Sequence, residues 1–310
     1  MKKYLNIIIT FLTIFFMIEF ILNRELVFDT VAFSLNIWVK NIAPSLFPFF
    51  VLTDILISYN FTKYLPKQFI NFFSQLFNIK KEAVLVFFLS IISGFPSNAK
   101  NTKKLYDMNI LNKEEAAHLL SFTHFSNPLF ILGTVAIYFL HNKKLGIIIL
   151  LSHYLSNFIV GIIFRNNNFN IDDNNTKKYN NNLFFGEIFA NAIKSAIDTI
   201  LLICGTLTCF LIIAAIIINR FNLNTANEII IKSLLEITIG LKELSMCNIN
   251  SKYLVMISSF ILSFGGLSVH MQVKSQLVGT NISYKPFFIG RIYQALISVV
   301  LAYIFYLILA

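Results

Sequence analysis

Two glycine-centred interruptions of apolar segments place donor groups where a membrane helix would break. The first reads SGFPSNAK over residues 93–100, and the second reads FGGLSVHMQ over residues 264–272. A helix that restarts after such a break directs unpaired N–H groups and the positive end of its dipole at the gap, which favours an anion. Hydroxyl, amide, ammonium and imidazole groups beside the breaks add further donors. The chemistry that these residue types predict is therefore binding of a small anion.

A third interruption follows a helix that begins with a capping-box pattern at Asn112. Pro128 disfavours helix at Asn127 and provides no N–H, and a short apolar segment, residues 129–140, comes next. We expect a re-entrant hairpin with its tip at this proline. The three breaks together supply the predicted substrate-binding residues: Gly94, Pro96, Ser97, Asn98, Lys100, Ser126, Asn127, Gly265, Gly266, Ser268, His270 and Gln272. The alternative is that the glycines only allow helices to pack closely.

The segments that follow the two glycine breaks resemble each other. Four residues recur at one constant offset, Leu105, Asn109, Ile110 and Lys113 as Leu277, Asn281, Ile282 and Lys285. Gly94 and Gly266 keep that offset, so the sequence pairs the first break with the second. Interrupted hydrophobic segments at corresponding positions of two halves point to a transporter binding site. The sequence leaves open whether the repeats are inverted or parallel.

Three acidic residues in or beside apolar segments are candidates for coupling transport to an ion: Asp54, Asp198 and Glu236. A carboxylate inside a membrane is a functional hypothesis by default, as a proton relay or a cation ligand. Asp54 and Asp198 lie near segment ends and could simply reach water. Glu236 has Lys232 one helical turn away, which suits a structural ion pair.

The composition identifies an integral membrane protein. Hydrophobic residues make up 56% of the chain and charged residues 13%, and the mean hydropathy of +0.71 exceeds that of soluble domains. The net charge of +10 is explained by lysines that flank spans, so no nucleic-acid partner is expected. The His and Cys residues show no metal or catalytic spacing, so we expect no enzyme, metal or cofactor. The lipid bilayer and a small anionic substrate are the expected partners, with homo-oligomerisation left open.

An asparagine-rich stretch divides the chain into halves of similar length. Residues 165–185 are too polar to bury a core and are predicted to be an exposed linker. The expected organisation is an N-terminal membrane anchor helix (1–24), a first membrane half with the hairpin (25–164), this linker, and a second membrane half with the repeated break (186–310).

Several motifs together resemble a known family. They are residues 93–100, Glu115-Ala116, Leu120-Ser121-Phe122-Thr123, Ser126-Asn127-Pro128-Leu129-Phe130, Glu236-Ile237-Thr238 with Gly240, and Gly265-Gly266-Leu267-Ser268-Val269-His270 with Gln272. In combination they resemble the sporulation integral membrane protein YlbJ (SpoVV) family, which contains a Gate, or nucleoside-recognition, domain. The resemblance covers nearly the whole chain. It implies a transporter of dipicolinate in the mother-cell-derived outer forespore membrane.

The expected fold is therefore an all-α polytopic membrane protein with two related halves, broken or re-entrant helices and a nucleoside-transporter-like Gate architecture. The expected function is transport of a small organic anion during endospore formation, with dipicolinate as the expected substrate. Two alternatives remain at this stage: a non-transporting sporulation membrane scaffold, and a transporter of a nucleoside-like substrate.

Overall fold

The computed structural model describes residues 2–166 and 184–309, so most of the predicted linker, residues 167–183, lies outside the described residues. Within the described ranges the secondary structure is helical and no strand occurs, which confirms the all-α prediction. Six helices in these ranges are long and apolar enough to cross a bilayer: Tyr4–Leu22, Arg24–Ser58, Lys143–Ile163, Phe185–Phe221, Ser251–Gln276 and Lys285–Leu309.

The elements of the two halves follow in chain order. Up to the linker they are α1 Lys2–Leu22, α2 Arg24–Ile37, a π-helical turn Trp38–Ile42, α3 Ala43–Ser58, a 3-10 turn Phe61–Tyr64, α4 Lys67–Phe77, α5 Lys81–Ser93, α6 Ser97–Asp107, α7 Lys113–Phe122, a π-helical segment Phe130–Phe139 and α8 Lys143–Ile163. After the linker they are α9 Phe185–Phe221, α10 Thr225–Leu235, α11 Ile237–Ser245, α12 Ser251–Phe264, α13 Gly266–Gln276 and α14 Lys285–Leu309.

Helices α5 and α6 form a helical hairpin that turns back at Gly94. Lys80, at the start of α5, donates to the Ile110 carbonyl just beyond the end of α6 (3.1 Å), so the two helices run side by side in opposite directions. Gly94 has φ +77° and ψ −176°, a region that is essentially restricted to glycine. The tip of this hairpin is therefore made by the backbone of one glycine.

Helix α7 and the π-helical segment cross the molecule in one direction, with a break between them. Their contacts with α8 come in order, from Phe122 beside Gly161 to Ser126 bonded to His153. Beyond the break, Ala136 touches Gly146. A chain that turned back could not keep this order. The break at Ser126–Pro128 is present, but the re-entrant turn expected there lies at Gly94 instead, because the π-helical segment continues along α8.

The second half repeats this arrangement as a hairpin followed by a broken helix. A Cβ on Gly240 would lie 2.5 Å from Ser233 Cα, and Lys232 pairs with Glu243 (3.1 Å), so α11 folds back on α10 with its tip at Glu236. Helices α12 and α13 instead follow α14 in one direction. Ser298 donates to the carbonyl of residue 259, and the ring of residue 270 lies against the ring of residue 287.

The two halves are inverted repeats. The Trp38 indole N–H donates to the Ile200 carbonyl (3.1 Å) and Ser34 bonds Thr208, so the long helix of the second half runs antiparallel to that of the first. Each half then has a hairpin, a broken helix and a final spanning helix, and the two hairpins enter from opposite sides. This order differs from the pairing drawn from the sequence: the first glycine break, a hairpin tip, corresponds to Glu236, and the glycines of α12–α13 correspond to the break after α7.

Candidate functional site

The four breaks meet at the interface between the two halves. A Cβ on Gly94 would lie 2.6 Å from the backbone N of Asn127, so the first hairpin tip touches the first broken helix. The rings of Phe95 and His124 stack with centroids 4.6 Å apart. A Cβ on Gly265 would lie 3.1 Å from His124 Nε2, so the second broken helix reaches the same point.

The second hairpin completes the contact. A Cβ on Gly266 would lie 3.1 Å from Ile237 Cγ2, beside the tip of α10–α11. Two hairpin tips and two broken helices therefore converge. Each half contributes one tip and one broken helix. Discontinuous helices that meet between inverted repeats are the usual setting of a transporter substrate site.

A small cavity of about 30 Å³ lies between these breaks. Its wall also includes the two long helices, and consists of Ile42, Leu46, Phe95, Ser126, Asn127, Phe130, Ile203, Leu207, Glu236, Ile237, Thr238, Val269 and Gln272. The wall is mostly apolar, with polar groups supplied by the breaks. A volume of this size holds about two water molecules, so an organic ligand requires the cavity to widen.

The predicted site residues divide into three groups by position. Ser126, Asn127, Gln272 and the coupling candidate Glu236 line the cavity. A second group stands at the breaks behind the wall, namely Gly94, Pro96, Ser97, Asn98, Gly265, Gly266 and Ser268. The others are engaged elsewhere: Lys100 pairs with Asp54 (2.6 Å), His270 bonds Tyr284 and the Phe264 carbonyl, and Asp198 lies on the exposed face of α9.

Four helical segments begin at the cavity, which concentrates helix N-termini there. They are α6, the π-helical segment, α11 and α13. Asn127 Oδ1 accepts from the backbone N of Leu129 (2.7 Å), and Glu236 caps α11 by accepting from the N–H of Ile239 (3.0 Å). The starts of α6 and α13 have no side-chain cap. At α6 the N–H groups of Ser97 and Ala99 bond the carbonyls of Gly94 and Pro96, so what both helix starts share is the positive end of the helix dipole.

The carbonyl ends of helices that stop at the breaks are covered by donors from the protein. Asn127 Nδ2 donates to the Ile92 carbonyl at the end of α5 (2.7 Å), and Tyr154 donates to that of Ile91 (2.8 Å). At the end of α12, His270 Nε2 lies 3.0 Å from the Phe264 oxygen. Because these carbonyl ends are satisfied and the start of α13 has no side-chain cap, the breaks favour an anion over a cation.

Arg291 is a buried guanidinium that the sequence analysis overlooked. It has no exposed surface and donates to the carbonyl of Ser121 (2.7 Å) and to Asn157 Oδ1 (3.1 Å), and it also bonds Gln294. No carboxylate of a described residue pairs with it. Its guanidinium satisfies a backbone carbonyl at the end of α7. The signal that could have revealed it is a lone charge inside the last apolar segment, which usually marks an interior-facing position.

Several buried polar atoms near the breaks have no hydrogen-bond partner among the described residues. They include both side-chain heteroatoms of Asn98, Ser268 Oγ, Gln272 Oε1 and both ring nitrogens of His124. Gln272 Nε2 does bond, to Thr206 on α9 (3.1 Å). Buried polar groups rarely stay unsatisfied without water or a ligand, so these atoms are available to bound molecules.

Comparison with known proteins gives one clear similarity. No protein-family model matches the chain, and no solved structure matches it. The sporulation integral membrane protein YlbJ of Bacillus subtilis (strain 168) is 29% identical over 309 residues, which covers 88% of this chain and 76% of that protein. This similarity confirms the resemblance to the YlbJ family that was drawn from the motifs.

Proposed function

We propose that this protein transports a small organic anion by alternating access between its two inverted halves. The observation that carries the proposal is the convergence of four helix breaks, two from each half, on one buried cavity. Backbone N–H groups at helix starts bind carboxylates without a nearby cationic side chain. The inverted repeat supplies the two equivalent conformations that alternating access needs.

Dipicolinate is the substrate that the family resemblance implies, and its charge and aromatic ring suit the groups around the cavity. It is a planar aromatic dianion, so each carboxylate could meet helix starts from a different half while the ring lies against Phe95. The relative is named a sporulation protein, which supports a role for this chain in endospore formation. The corresponding location is the outer forespore membrane.

The hairpins are the elements whose movement would open the site. They enter from opposite sides, and the cavity between their tips is too small for dipicolinate as it stands. Lys100 on the first hairpin is tied to Asp54 on α3, and Lys104 donates to Ser58 one turn further along (3.0 Å). Withdrawal of one hairpin at a time would expose the cavity to one side only.

Uptake of dipicolinate by liposomes that contain the purified full-length protein tests the proposal. The informative variant is Gln272→Leu, which replaces an amide in the cavity wall by an apolar group of similar size. Gln276→Leu is the matched control, one turn further along α13 and outside the wall. Loss of one hydrogen bond to a charged ligand costs about 1.5–3 kcal/mol, so we expect Gln272→Leu to weaken half-saturation by roughly tenfold or more.

Two results would count against the proposal. Absence of saturable dipicolinate uptake by the wild-type protein, together with normal function of the Gln272→Leu variant in sporulating cells, would favour the scaffold. Saturable uptake of a nucleoside in preference to dipicolinate would favour the nucleoside-like substrate, for which the neutral side chains of Asn127, Thr238 and Gln272 would be the hydrogen-bonding groups.

A further inference from the structure

Among the residues that the structure describes, Glu236 is the one acidic side chain in the cavity wall. It is 3% exposed and forms the tip of the second hairpin, between α10 and α11. One carboxyl oxygen accepts from the hydroxyl of Thr238 (3.2 Å), and the other accepts from the N–H of Ile239 (3.0 Å). Both contacts come from its own hairpin.

Among the described residues, no cationic side chain lies within ion-pair distance of Glu236. On its own hairpin, Lys232 pairs with Glu228 and Glu243. The charged and titratable groups on the other elements around the cavity contact partners other than Glu236. Lys100 pairs with Asp54, and His270 bonds Tyr284 and the Phe264 carbonyl. Arg291 donates to the end of α7, and His124 stacks on Phe95.

A bound organic anion would therefore share a small, mostly apolar cavity with a carboxylate. Two like charges a few ångströms apart in such surroundings repel strongly, because little water screens them. The start of α11 already donates one N–H to Glu236, so it compensates only part of the charge. A proton on Glu236 removes the repulsion and turns the group into a hydrogen-bond donor for the substrate.

A proton suits the site better than a metal cation. The described residues contain no group of three or more His, Cys, Asp or Glu side chains placed to hold a metal ion. Most of the wall consists of apolar side chains, whereas Na⁺ or Ca²⁺ takes several oxygen ligands. The other two coupling candidates lack this placement, since Asp54 is paired with Lys100 and Asp198 is exposed.

We propose that Glu236 carries a proton into the cavity with each anion, which makes the protein a proton–anion symporter. The inference rests on the proposed anion transport. On the side of higher acidity the Glu236 carboxylate takes a proton from water and the anion binds; after the hairpins exchange positions, the anion leaves and Glu236 returns the proton to water. No bond other than O–H forms or breaks.

The test uses liposomes with the full-length protein and dipicolinate as the probe, over a pH range in which both of its carboxylates stay ionised. For the wild type, the apparent affinity should fall by up to about tenfold per pH unit once Glu236 ionises, because one proton is linked to binding. An imposed gradient, acidic on the outside, should drive accumulation above the external concentration.

Glu236→Gln is the decisive variant, because it mimics the protonated acid in shape and charge. We expect its affinity to be independent of pH, its exchange of internal for external dipicolinate to persist, and its proton-driven accumulation to be lost. Glu243→Gln is the matched control on the same hairpin, outside the cavity, and should behave as the wild type does.

The outcomes separate this inference from the function on which it rests. Saturable wild-type uptake with pH-independent affinity would overturn proton coupling and leave anion transport standing, and this measurement does not depend on any variant folding. Accumulation driven by a sodium gradient, or proton-driven accumulation by Glu236→Gln, would also overturn it. Absence of any uptake by the wild type would overturn both proposals together.

Discussion

The two hairpin tips occupy equivalent positions in the inverted repeat but are built by different means. The first turns through the backbone of Gly94, in a conformation that other residues avoid, and its tip presses on Asn127. The second turns at Glu236 in an ordinary extended conformation, and the carboxylate caps the returning helix. The first tip is therefore fixed by shape and carries no charge, whereas the second is fixed by a side chain that can gain or lose a proton.

The hairpins also differ in how they are held outside the cavity. A buried ion pair, Lys100 with Asp54, ties the first hairpin to α3. In the second, Lys232 pairs with Glu243 across the two arms of the hairpin itself. The ion pair of the first hairpin thus joins it to another helix, whereas that of the second joins the two helices of the hairpin to each other. We infer that substitutions at the first tip change stability and shape, and that those at Glu236 in the second tip change the proton linkage.

The largest effect is expected from Gly94→Ala. The backbone strain at this φ and ψ amounts to about 1–3 kcal/mol, and the new methyl group meets backbone N of Asn127 at 2.6 Å, which adds about 1–3 kcal/mol of overpacking. We expect a lower thermal unfolding midpoint in detergent and loss of dipicolinate uptake, because the first tip must move off the broken helix.

Two further glycines separate strain from contact at Gly94. Gly279 has φ +81° with nothing near its Cβ position, so Gly279→Ala reports strain alone. Gly186 lies in a helix with nothing near it, so its replacement by alanine should leave the protein unchanged or slightly more stable. If Gly94→Ala lowered the midpoint no more than Gly279→Ala does, the close contact with Asn127 would not hold the tip.

A smaller effect is expected from Lys100→Met, which removes the tie between the first hairpin and α3. The hydrogen bond between the ammonium and Asp54 is worth about 1.5–3 kcal/mol, and the carboxylate is left buried. Stability measured by thermal unfolding should fall. The double variant with Asp54→Asn should recover part of the loss, because no isolated charge remains. A double variant less stable than both singles would show that the pair is not the tie.

The sequence predicts the helical class, the membrane location and three of the four breaks, because glycine and proline mark where a helix stops. It does not predict the fourth break as a tip, since Glu236 turns the chain without either residue. It also misassigns the repeat. The similarity between residues 105–113 and 277–285 reflects a shared turn into a helix that begins with lysine, and this local likeness is in a different register from the inverted halves.

The identity of the site residues is less predictable than the breaks. Lys100 has the right charge and spacing, but the hairpin directs it toward Asp54, which lies far from it in sequence. Phe95 and Thr238 line the cavity although neither residue type signals a site. Arg291 reaches the end of α7 because α14 packs against α7 and α8. The sequence pattern alone does not predict which helices pack together.

The smallest effect on stability is expected at the second tip, where substitutions act on the proton linkage. Glu236→Gln keeps a carbonyl oxygen that can accept from Ile239, so its unfolding midpoint should stay close to that of the wild type. Glu236→Ala removes the cap and should cost about 1 kcal/mol. Both variants abolish the ionisable group, so both should lose the pH dependence of dipicolinate affinity, measured beside their thermal unfolding. If only Glu236→Ala lost it, the cap rather than the proton would set the affinity, and the second tip would be fixed by shape as the first one is.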